Sequence, residues 1–556
     1  MLQILHSRCM GLSPSVRSAT RSTLLHRITI SAWSHPRMLT RALAHAATAQ
    51  DTAAFAAKTP AMPTSTLPKR GITLSKLGFG AYRVNDTQDA HRRALEKAVA
   101  SGVNVIDTSA HFGYGASETF IGKTLKDILA SKPGLRREQF VIVSKAGFVL
   151  PQTPAFPAEV LGHVPSYAKI SDNSYHSIHP TFLKDQITAS LARLQLDTLD
   201  VFLLNHPERM LGDRQSAYSK PKLYKEIAEA FAYLDTEVAA GRIGGYGLCS
   251  NALHIPTTED HLSLKALVNT RGDFGWKLEN FVAVQVPLNL FERDLVTDVF
   301  PSKSFAREAK EHKIFVFTNR PLNAIGGGQI VTLENRNHLD RKNMNSKLLD
   351  TLGLSFQSLA EMELDIKEMI EEESIALKFI WSEILSENLP RLSANYFAAR
   401  HYLDKEVLPA IDRDLKVLED STNDHTQDQE DKDSVISWID RYRREARTLV
   451  TDIASFCQID SDKRNDELNL VLGLICKDFV SDAGLDAVAD IGSPLSVKAI
   501  QYCVAQENVG CTLVGMRTPE YVHDAVVAAE AGHRLTKEDL KAVAQCPLLL
   551  AVNADK

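Results

Sequence analysis

Short apolar runs alternate with amphipathic stretches along most of this 556-residue chain, and this alternation constrains the fold more than any other feature. The stretches between the runs carry apolar residues at helical spacing, as in Phe182, Ile187, Leu191 and Leu194. Strands that are regularly separated by helices pair in parallel through right-handed crossovers. The predicted strands are Leu77–Ala81, Val103–Asp107, Phe140–Ser144, Leu199–Leu204, Ile243–Leu248, Phe281–Val286, Ile314–Phe317 and Cys511–Val514.

Eight such units favour an α/β fold of the closed (β/α)8 TIM-barrel type over an open doubly wound sheet. A GxGxxG sequence after the first strand would indicate a dinucleotide-binding Rossmann domain, and the chain has none there. No run of about 18 apolar residues occurs, so a membrane-spanning helix is not expected. Seven scattered cysteines without a CxxC pair indicate neither a disulfide framework nor a zinc site, and no metal site is predicted.

The seventh and eighth predicted strands are separated by far more chain than one connection needs. Residues 326–492 intervene, and their many helix-forming residues predict a helical insertion between these strands. Within it, the acidic tract 419–433 is expected to be a disordered loop because it has too little apolar surface to bury. The expected divisions are a transit peptide (1–50), a linker (51–70), the first part of the barrel (71–325), the insertion (326–492), and the barrel completion with C-terminal helices (493–556).

The first fifty residues differ in composition from the rest of the chain. They contain six Arg, seven Ser and no Asp, Glu or Lys. This profile is typical of an organelle transit peptide, and it favours the mitochondrion over a plastid or a cytoplasmic location. Without these six arginines the formal net charge falls from −6 to −12. An acidic body with no basic stripe argues against nucleic acid or a membrane surface as a partner.

Distinct motifs follow the predicted strands, where the active site of a (β/α)8 barrel assembles. They are Leu77–Gly80, Asn104–Glu118, Val143–Ala146, Leu199–Pro207, Gly247–Asn251, Val284–Leu290, Arg320–Leu322 and Val514–Arg517. In this order the motifs resemble the aldo/keto reductase family. The resemblance implies an oxidoreductase barrel that acts on a small carbonyl or alcohol with NADP, or with NAD, as cofactor.

The catalytic residues that the resemblance implies are only partly present. Such enzymes use a Tyr hydroxyl as proton donor, a Lys paired with an Asp beside it, and a His that orients the carbonyl oxygen. Asp107 and Lys145 match the Asp and the Lys. Phe112, which has no proton to give, stands at the Tyr position, and Asn205, followed by His206, stands at the His position.

Three hypotheses remain open for this altered site. In the first, Tyr114, His111 or His206 has become the donor, since a glycine-flanked Tyr114 can be re-aimed. His206 is the weaker candidate because neighbouring residues on a strand alternate faces. In the second, the barrel binds NADP without catalysis and acts as a sensor, or as a scaffold whose insertion recruits a protein partner. In the third, it performs a different redox step, since losing a general acid costs about 10²–10⁴-fold in rate.

The resemblance also implies a set of cofactor-binding residues, namely Ser250, Asn251, Gln285, Arg320, Leu322, Gly515 and Arg517. The first three match residues that hold the nicotinamide carboxamide. The next two belong to a loop for the pyrophosphate, and the last two to a segment for the adenosine phosphate. An arginine suits a 2′-phosphate through bidentate hydrogen bonds, so NADP is favoured over NAD.

Overall fold

The computed structural model describes residues 46–149, 161–215, 218–298, 303–326, 329–334, 341–370, 372–393, 396–425, 428–477, 479 and 493–551. The transit peptide predicted over 1–50 therefore lies outside the described residues as far as residue 45. Across the part of the chain that the structure describes, no helix is long and apolar enough to span a membrane.

In chain order the strands are β1 (Thr64–Leu67), β2 (Ile72–Ser75), β3 (Leu77–Gly80), β4 (Val105–Asp107), β5 (Val141–Ala146), β6 (Phe148–Val149), β7 (Ala168–Ser171), β8 (Ser174–His176), β9 (Val201–Asn205), β10 (Tyr246–Cys249), β11 (Phe281–Pro287), β12 (Phe315–Asn319), β13 (Asn323–Gly326), β14 (Gln329–Thr332) and β15 (Cys511–Val514).

The α-helices are α1 (Ala49–Ala56), α2 (Asp89–Ala100), α3 (Ala116–Ser131), α4 (Pro180–Leu194), α5 (Lys220–Ala239), α6 (Leu264–Asn269), α7 (Arg271–Phe274), α8 (Phe305–Glu311), α9 (Arg341–Met369), α10 (Glu373–Ala376), α11 (Trp381–Leu392), α12 (Tyr396–Tyr402), α13 (Leu408–His425), α14 (Gln429–Ile475), α15 (Leu495–Ala505), α16 (Pro519–Glu530), α17 (Lys537–Ala544) and α18 (Pro547–Ala551).

Eight parallel strands close into a barrel in the order β3, β4, β5, β9, β10, β11, β12 and β15. The barrel closes between the first and last of them, where Leu77 lies opposite Thr512. Inward-facing side chains such as Val143, Leu203 and Phe317 form one buried cluster. Both faces of each barrel strand are buried, which is why the strands are nearly continuous apolar runs in the sequence. The predicted (β/α)8 barrel is confirmed.

Residues 51–70, expected to form a linker, instead cover the N-terminal end of the barrel. Leu67 and Leu74 of the β1–β2 hairpin belong to the same buried cluster as the barrel interior. Lys69 Nζ donates to the carbonyl oxygens of Leu278 at 2.6 Å and Phe281 at 2.8 Å. The linker prediction was wrong because a hairpin with four-residue strands is too short for its alternation to stand out.

Asp200 ties the residues before α1 to this end of the barrel. Its buried carboxylate accepts hydrogen bonds from the main-chain nitrogens of Ala47 at 2.6 Å and Ile142 at 2.7 Å. It also accepts one from Arg137 Nη2 at 2.7 Å, within an ion pair whose side chains are 1–2% exposed. The folded barrel therefore includes residues 46–50, the last part of the segment predicted as a transit peptide.

Substitution of Asp200 is expected to destabilise the barrel. Asp200→Ala leaves the buried Arg137 guanidinium without its carboxylate, which costs about 3–5 kcal/mol of unfolding free energy. Urea denaturation would measure this loss. Glu229→Ala removes a solvent-accessible partner of Lys225 and serves as the control, with no measurable change expected. A loss below about 1 kcal/mol in Asp200→Ala would contradict this role.

The chain between β12 and β15 forms the expected helical insertion. Helices α9, α11, α13 and α14 surround a second buried cluster, in which the Trp438 and Tyr442 rings stack with centroids 4.7 Å apart. Glu363 is buried there and accepts hydrogen bonds from Ser382 N at 3.0 Å and Tyr442 Oη at 2.7 Å. The insertion thus has a core of its own.

Helix α14 connects this insertion to the barrel. Its first half contributes Trp438 to the insertion core, and its second half contributes Leu472 to the main barrel core. Asn465 Nδ2 donates to the carbonyl oxygens of Thr332 at 2.8 Å and Glu334 at 2.7 Å. One continuous helix therefore fixes the insertion to the β13–β14 hairpin, which follows β12 at the C-terminal end of the barrel.

The acidic tract 419–433, predicted as a disordered loop, is helical on both sides of residues 426–427. Its first part continues α13, where Thr422 is buried beside Leu418. Its second part begins α14, where Asp428 caps the helix by accepting from Glu430 N at 2.8 Å. Acidic residues in a first turn are favoured by the helix dipole. The prediction was wrong because neighbouring helices supply the apolar contacts that the tract itself lacks.

Candidate active site

The C-terminal ends of the barrel strands bring most of the predicted catalytic residues together. Asp107 ends β4, Lys145 lies near the end of β5, and Asn205 ends β9. Gln285 on β11 reaches the same place from across the barrel, where its Nε2 donates to Asp107 Oδ1 at 2.8 Å. The geometry matches the usual position of active sites in barrels of this type.

Asp107 and Lys145 form a buried ion pair. Lys145 Nζ donates to Asp107 Oδ1 at 2.5 Å and to the Thr108 carbonyl at 2.9 Å, and the two side chains are 7% and 3% exposed. An ammonium carries three N–H donors. Two are used within the described residues, so the third is left for a group bound in the site. The hydrogen bonds hold the cation in one place, as a buried pair requires.

Phe112 lies against this lysine at the position of the missing tyrosine. Its ring centroid is 5.1 Å from Lys145 Nζ, and the Tyr82 ring packs edge-on against it at 5.0 Å. Tyr82 is 59% exposed at the mouth of the site. Sequence reasoning missed it, although its place just after the Leu77–Gly80 motif could have indicated a residue of the site.

His111 lies beside Asn205, although 94 positions separate them. Its Nδ1 is 2.8 Å from Ser109 Oγ, whose hydroxyl donates to the Lys145 carbonyl at 2.9 Å, and 3.3 Å from Asn205 Nδ2, which has a hydrogen to donate. When Asn205 Nδ2 donates to it, Nδ1 is the acceptor and the neutral ring carries its proton on Nε2. Burial, together with the positive charge of Lys145, lowers the pKa of His111 to about 3. In this tautomer the uncharged ring donates a hydrogen bond from Nε2.

Asn205 is held in place from behind by His176. His176 Nε2 donates to the Asn205 carbonyl at 2.7 Å, and burial lowers the pKa of this histidine to about 4. A Cβ at Gly147 would lie 2.5 Å from that carbonyl oxygen and 2.6 Å from His176 Nε2, so a larger residue would separate them. His176 ends β8, and the small sheet of β6, β7 and β8 thus supports the site.

Two predicted donors, Tyr114 and His206, do not join the Asp107–Lys145 pair. Tyr114 has a left-handed φ of 55° and is 58% exposed; its main-chain nitrogen donates to the His111 carbonyl at 3.3 Å, but its hydroxyl has no hydrogen bond to the site within the described ranges. His206 also has a left-handed φ, of 52°, which turns its ring toward other groups. Its Nδ1 is 3.0 Å from Glu208 Oε1, and its Nε2 is 3.8 Å from Cys249 Sγ. Both were predicted as catalytic residues, and the structure gives neither a contact with the pair.

The predicted carboxamide-binding residues meet at the ends of β10 and β11. Ser250 is buried, and its Oγ accepts from the main-chain nitrogens of Ala252 and Leu253 at 3.1 Å each, so its hydroxyl hydrogen remains available. Gln285 Oε1 accepts from Asn319 Nδ2 at 3.2 Å, while Asn319 Oδ1 is buried without a hydrogen-bond partner among the described residues. The Ser250 hydroxyl, a hydrogen-bond donor, and the Asn319 Oδ1 acceptor thus both lie at this end of the barrel.

The predicted phosphate-binding residues differ in their surroundings. A Cβ at Gly515 would meet nothing within 4 Å, so the end of β15 faces open space, and Arg517 forms no ion pair in the described structure. Arg320, by contrast, has a φ of 57° and pairs with Glu292. Its guanidinium is engaged within the protein, and Leu322 packs against the barrel core.

Comparison with known proteins agrees with this geometry. Residues 76–324 match the sequence model of the Aldo/keto reductase family. This segment, which holds the first seven strands of the barrel, is similar to aldo/keto reductases.

Three relatives illustrate the similarity. The NADH-specific methylglyoxal reductase of Escherichia coli (strain K12) is 28% identical over 33% of this chain and 51% of its own length. The D-threo-aldose 1-dehydrogenase of Pseudomonas sp is 32% identical over 29% of this chain and 48% of its own length. The putative voltage-gated potassium channel subunit beta of Schizosaccharomyces pombe is 24% identical over 64% of this chain and 93% of its own length. The chain spans about half the length of the first two relatives.

A nicotinamide cofactor fits the residues at the C-terminal end of this barrel. A carboxamide offers two N–H donors and one acceptor oxygen, and this end of the barrel presents the Ser250 hydroxyl together with two buried acceptors lacking described partners, Asn319 Oδ1 and Glu208 Oε2. Open space at Gly515 leaves room for the rest of the molecule. Ser250, Asn251 and Gln285 would hold the carboxamide, and Arg517 would lie toward the phosphate end.

Proposed function

We propose that this barrel is an NAD(P)H-dependent oxidoreductase that reduces a small carbonyl compound or oxidises the corresponding alcohol. The observation that carries the proposal is the buried Asp107–Lys145 pair, which presents an unused N–H of the ammonium close to the neutral ring of His111. When bound, the cofactor supplies the two electrons and the hydrogen that carbonyl reduction requires.

Lys145 and His111 would take over proton donation and carbonyl orientation, which a tyrosine and a histidine perform in aldo/keto reductases. Negative charge develops on the carbonyl oxygen, so N–H donors are needed within about 2.6–3.2 Å of it. Lys145 stabilises that charge and gives the proton from its third N–H. His111 Nε2–H orients the oxygen. Phe112 has no hydroxyl to stand between Lys145 and the substrate, and its ring keeps water from the cation.

A second candidate function is a non-catalytic NADP-binding barrel that acts through a protein partner. Two observations favour it. Phe112, beside Lys145, has no hydroxyl proton to donate to a substrate, and one relative is named as a putative channel subunit. In this case the helical insertion, which has its own core and is fixed to the barrel by α14, would present the surface for the partner.

Cofactor binding and turnover together test both candidates. Fluorescence titration with NADPH is expected to show binding. NADPH oxidation is then expected with at least one compound in a panel that includes methylglyoxal and aldoses, the substrates named for two relatives. Binding without turnover of any carbonyl or alcohol would favour the non-catalytic candidate. Absence of binding would overturn both.

Arg517 is expected to set the preference for NADP over NAD. Arg517→Ala removes a bidentate partner for the 2′-phosphate and should weaken NADPH binding by about 10- to 100-fold, with NADH binding nearly unchanged. The Kd values of both cofactors measure this directly. Arg441→Ala, on the exposed side of α14, is the matched control. Equal weakening of NADPH and NADH would contradict the role of Arg517.

A further inference from the structure

Glu208 is a buried carboxylate beside the residues that would hold the nicotinamide ring. It lies in the 3₁₀ turn Pro207–Gly212 and is 4% exposed. Its Oε1 is 3.0 Å from the main-chain nitrogen of Asn251, which donates to it, and 3.0 Å from His206 Nδ1. Its Oε2 is buried and has no hydrogen-bond partner in the described part of the chain.

The surroundings of Glu208 keep its carboxyl group ionised. Burial opposes ionisation, but the contacts with His206 and with Asn251 N–H lower the pKa of Glu208. Burial likewise would lower the pKa of His206, but Cys249 and Glu208 raise it to about 10. The surroundings of His206 thus favour its charged form, in which Nδ1 donates to Oε1. An ionised carboxylate acts only as a hydrogen-bond acceptor, and a buried acceptor oxygen without a partner costs free energy. We therefore expect a bound group to donate a hydrogen bond to Oε2.

We propose that Glu208 Oε2 accepts a hydrogen bond from the N–H of the nicotinamide carboxamide, which makes Glu208 a cofactor-positioning residue. This inference rests on the proposed function. The same carboxylate fixes the main chain of Asn251, next to Ser250, so it stands beside the loop that would hold the carboxamide. His206, which sequence reasoning placed among the proton donors, then serves as the counter-ion of Glu208.

A cofactor analogue without the N–H donor tests this hydrogen bond. In the 3-acetylpyridine analogue of NADP⁺, a methyl group replaces the amide nitrogen. Isothermal titration calorimetry on the full chain should give a wild-type Kd about 10-fold or more lower for NADP⁺ than for the analogue, as expected for a hydrogen bond to a charged acceptor. Glu208→Gln should weaken NADP⁺ binding and bring the two Kd values within about twofold.

A matched variant and the pattern of losses make the test decisive. Glu237→Gln alters another buried, ion-paired glutamate, at the end of α5, and should leave the preference for NADP⁺ unchanged. Equal weakening of both ligands by Glu208→Gln, at an unchanged melting temperature, would show that Glu208 merely orders the Asn251 loop and would overturn the proposal. A wild-type protein that binds both ligands equally would also overturn it. If wild type binds neither ligand, the proposed function itself has failed.

Discussion

Replacement of Lys145 by methionine is expected to lower kcat/KM by about 10²–10⁴-fold, the range for loss of a general acid. Methionine keeps the length and volume of the side chain but has no positive charge and no N–H. Because the ammonium is 3% exposed and bonded to Asp107 and the Thr108 carbonyl, water has little room to take its place. The Kd for NADPH should stay within about twofold, since the lost interaction acts on the reacting oxygen.

Two further variants separate this loss from unfolding. Lys145→Met leaves Asp107 buried with Gln285 as its remaining described side-chain partner, and an uncompensated buried charge is destabilising. The double variant Asp107→Asn/Lys145→Met removes both charges and is expected to be folded and equally inactive. Lys123→Met changes an exposed lysine, 61% accessible, and should keep full activity. Activity of Lys145→Met above about one tenth of wild type would contradict the role of Lys145.

The barrel was predictable because its strands carry a local signal. Each barrel strand is buried on both faces and separated by a helix, so its position could be read from runs of Val, Ile, Leu and Phe. Asp107 and Lys145 were found through the resemblance to the aldo/keto reductase family, whose motif positions they match at the ends of two such runs. Their mutual contact follows from the parallel pairing of β4 and β5, in which Asp107 lies opposite Val143.

The role of His111 was not predictable because it depends on contacts between distant parts of the chain. Strand alternation predicts that His206 points away from the barrel interior, but β9 ends at Asn205 and a left-handed residue follows, so alternation no longer applies. His111 was one of three candidate donors in the sequence analysis, and nothing in the sequence singled it out. It becomes part of the site through Asn205, whose carbonyl is in turn held by His176 on a small sheet that the sequence did not indicate.

His111 is the second position where a large effect on activity is expected. His111→Leu has similar volume but lacks the Nε2–H that would orient the carbonyl oxygen. Removing one such donor costs about 10²–10³-fold in kcat. Because the pKa of His111 is lowered to about 3, the ring stays neutral above about pH 5, and its titration should leave no step in the wild-type rate between about pH 5 and 9.

Tyr114→Phe is the matched comparison, because it removes the hydroxyl of another side chain that the sequence suggested as donor. Tyr114 is 58% exposed and its hydroxyl has no hydrogen bond to the site within the described residues, so this variant should keep kcat/KM within about twofold of wild type. The most direct test of the account is therefore kcat/KM for His111→Leu and Tyr114→Phe, measured side by side on one carbonyl substrate at pH 7. The account predicts a loss of about 10²–10³-fold in the first and none in the second. Full activity in His111→Leu with a large loss in Tyr114→Phe would contradict it.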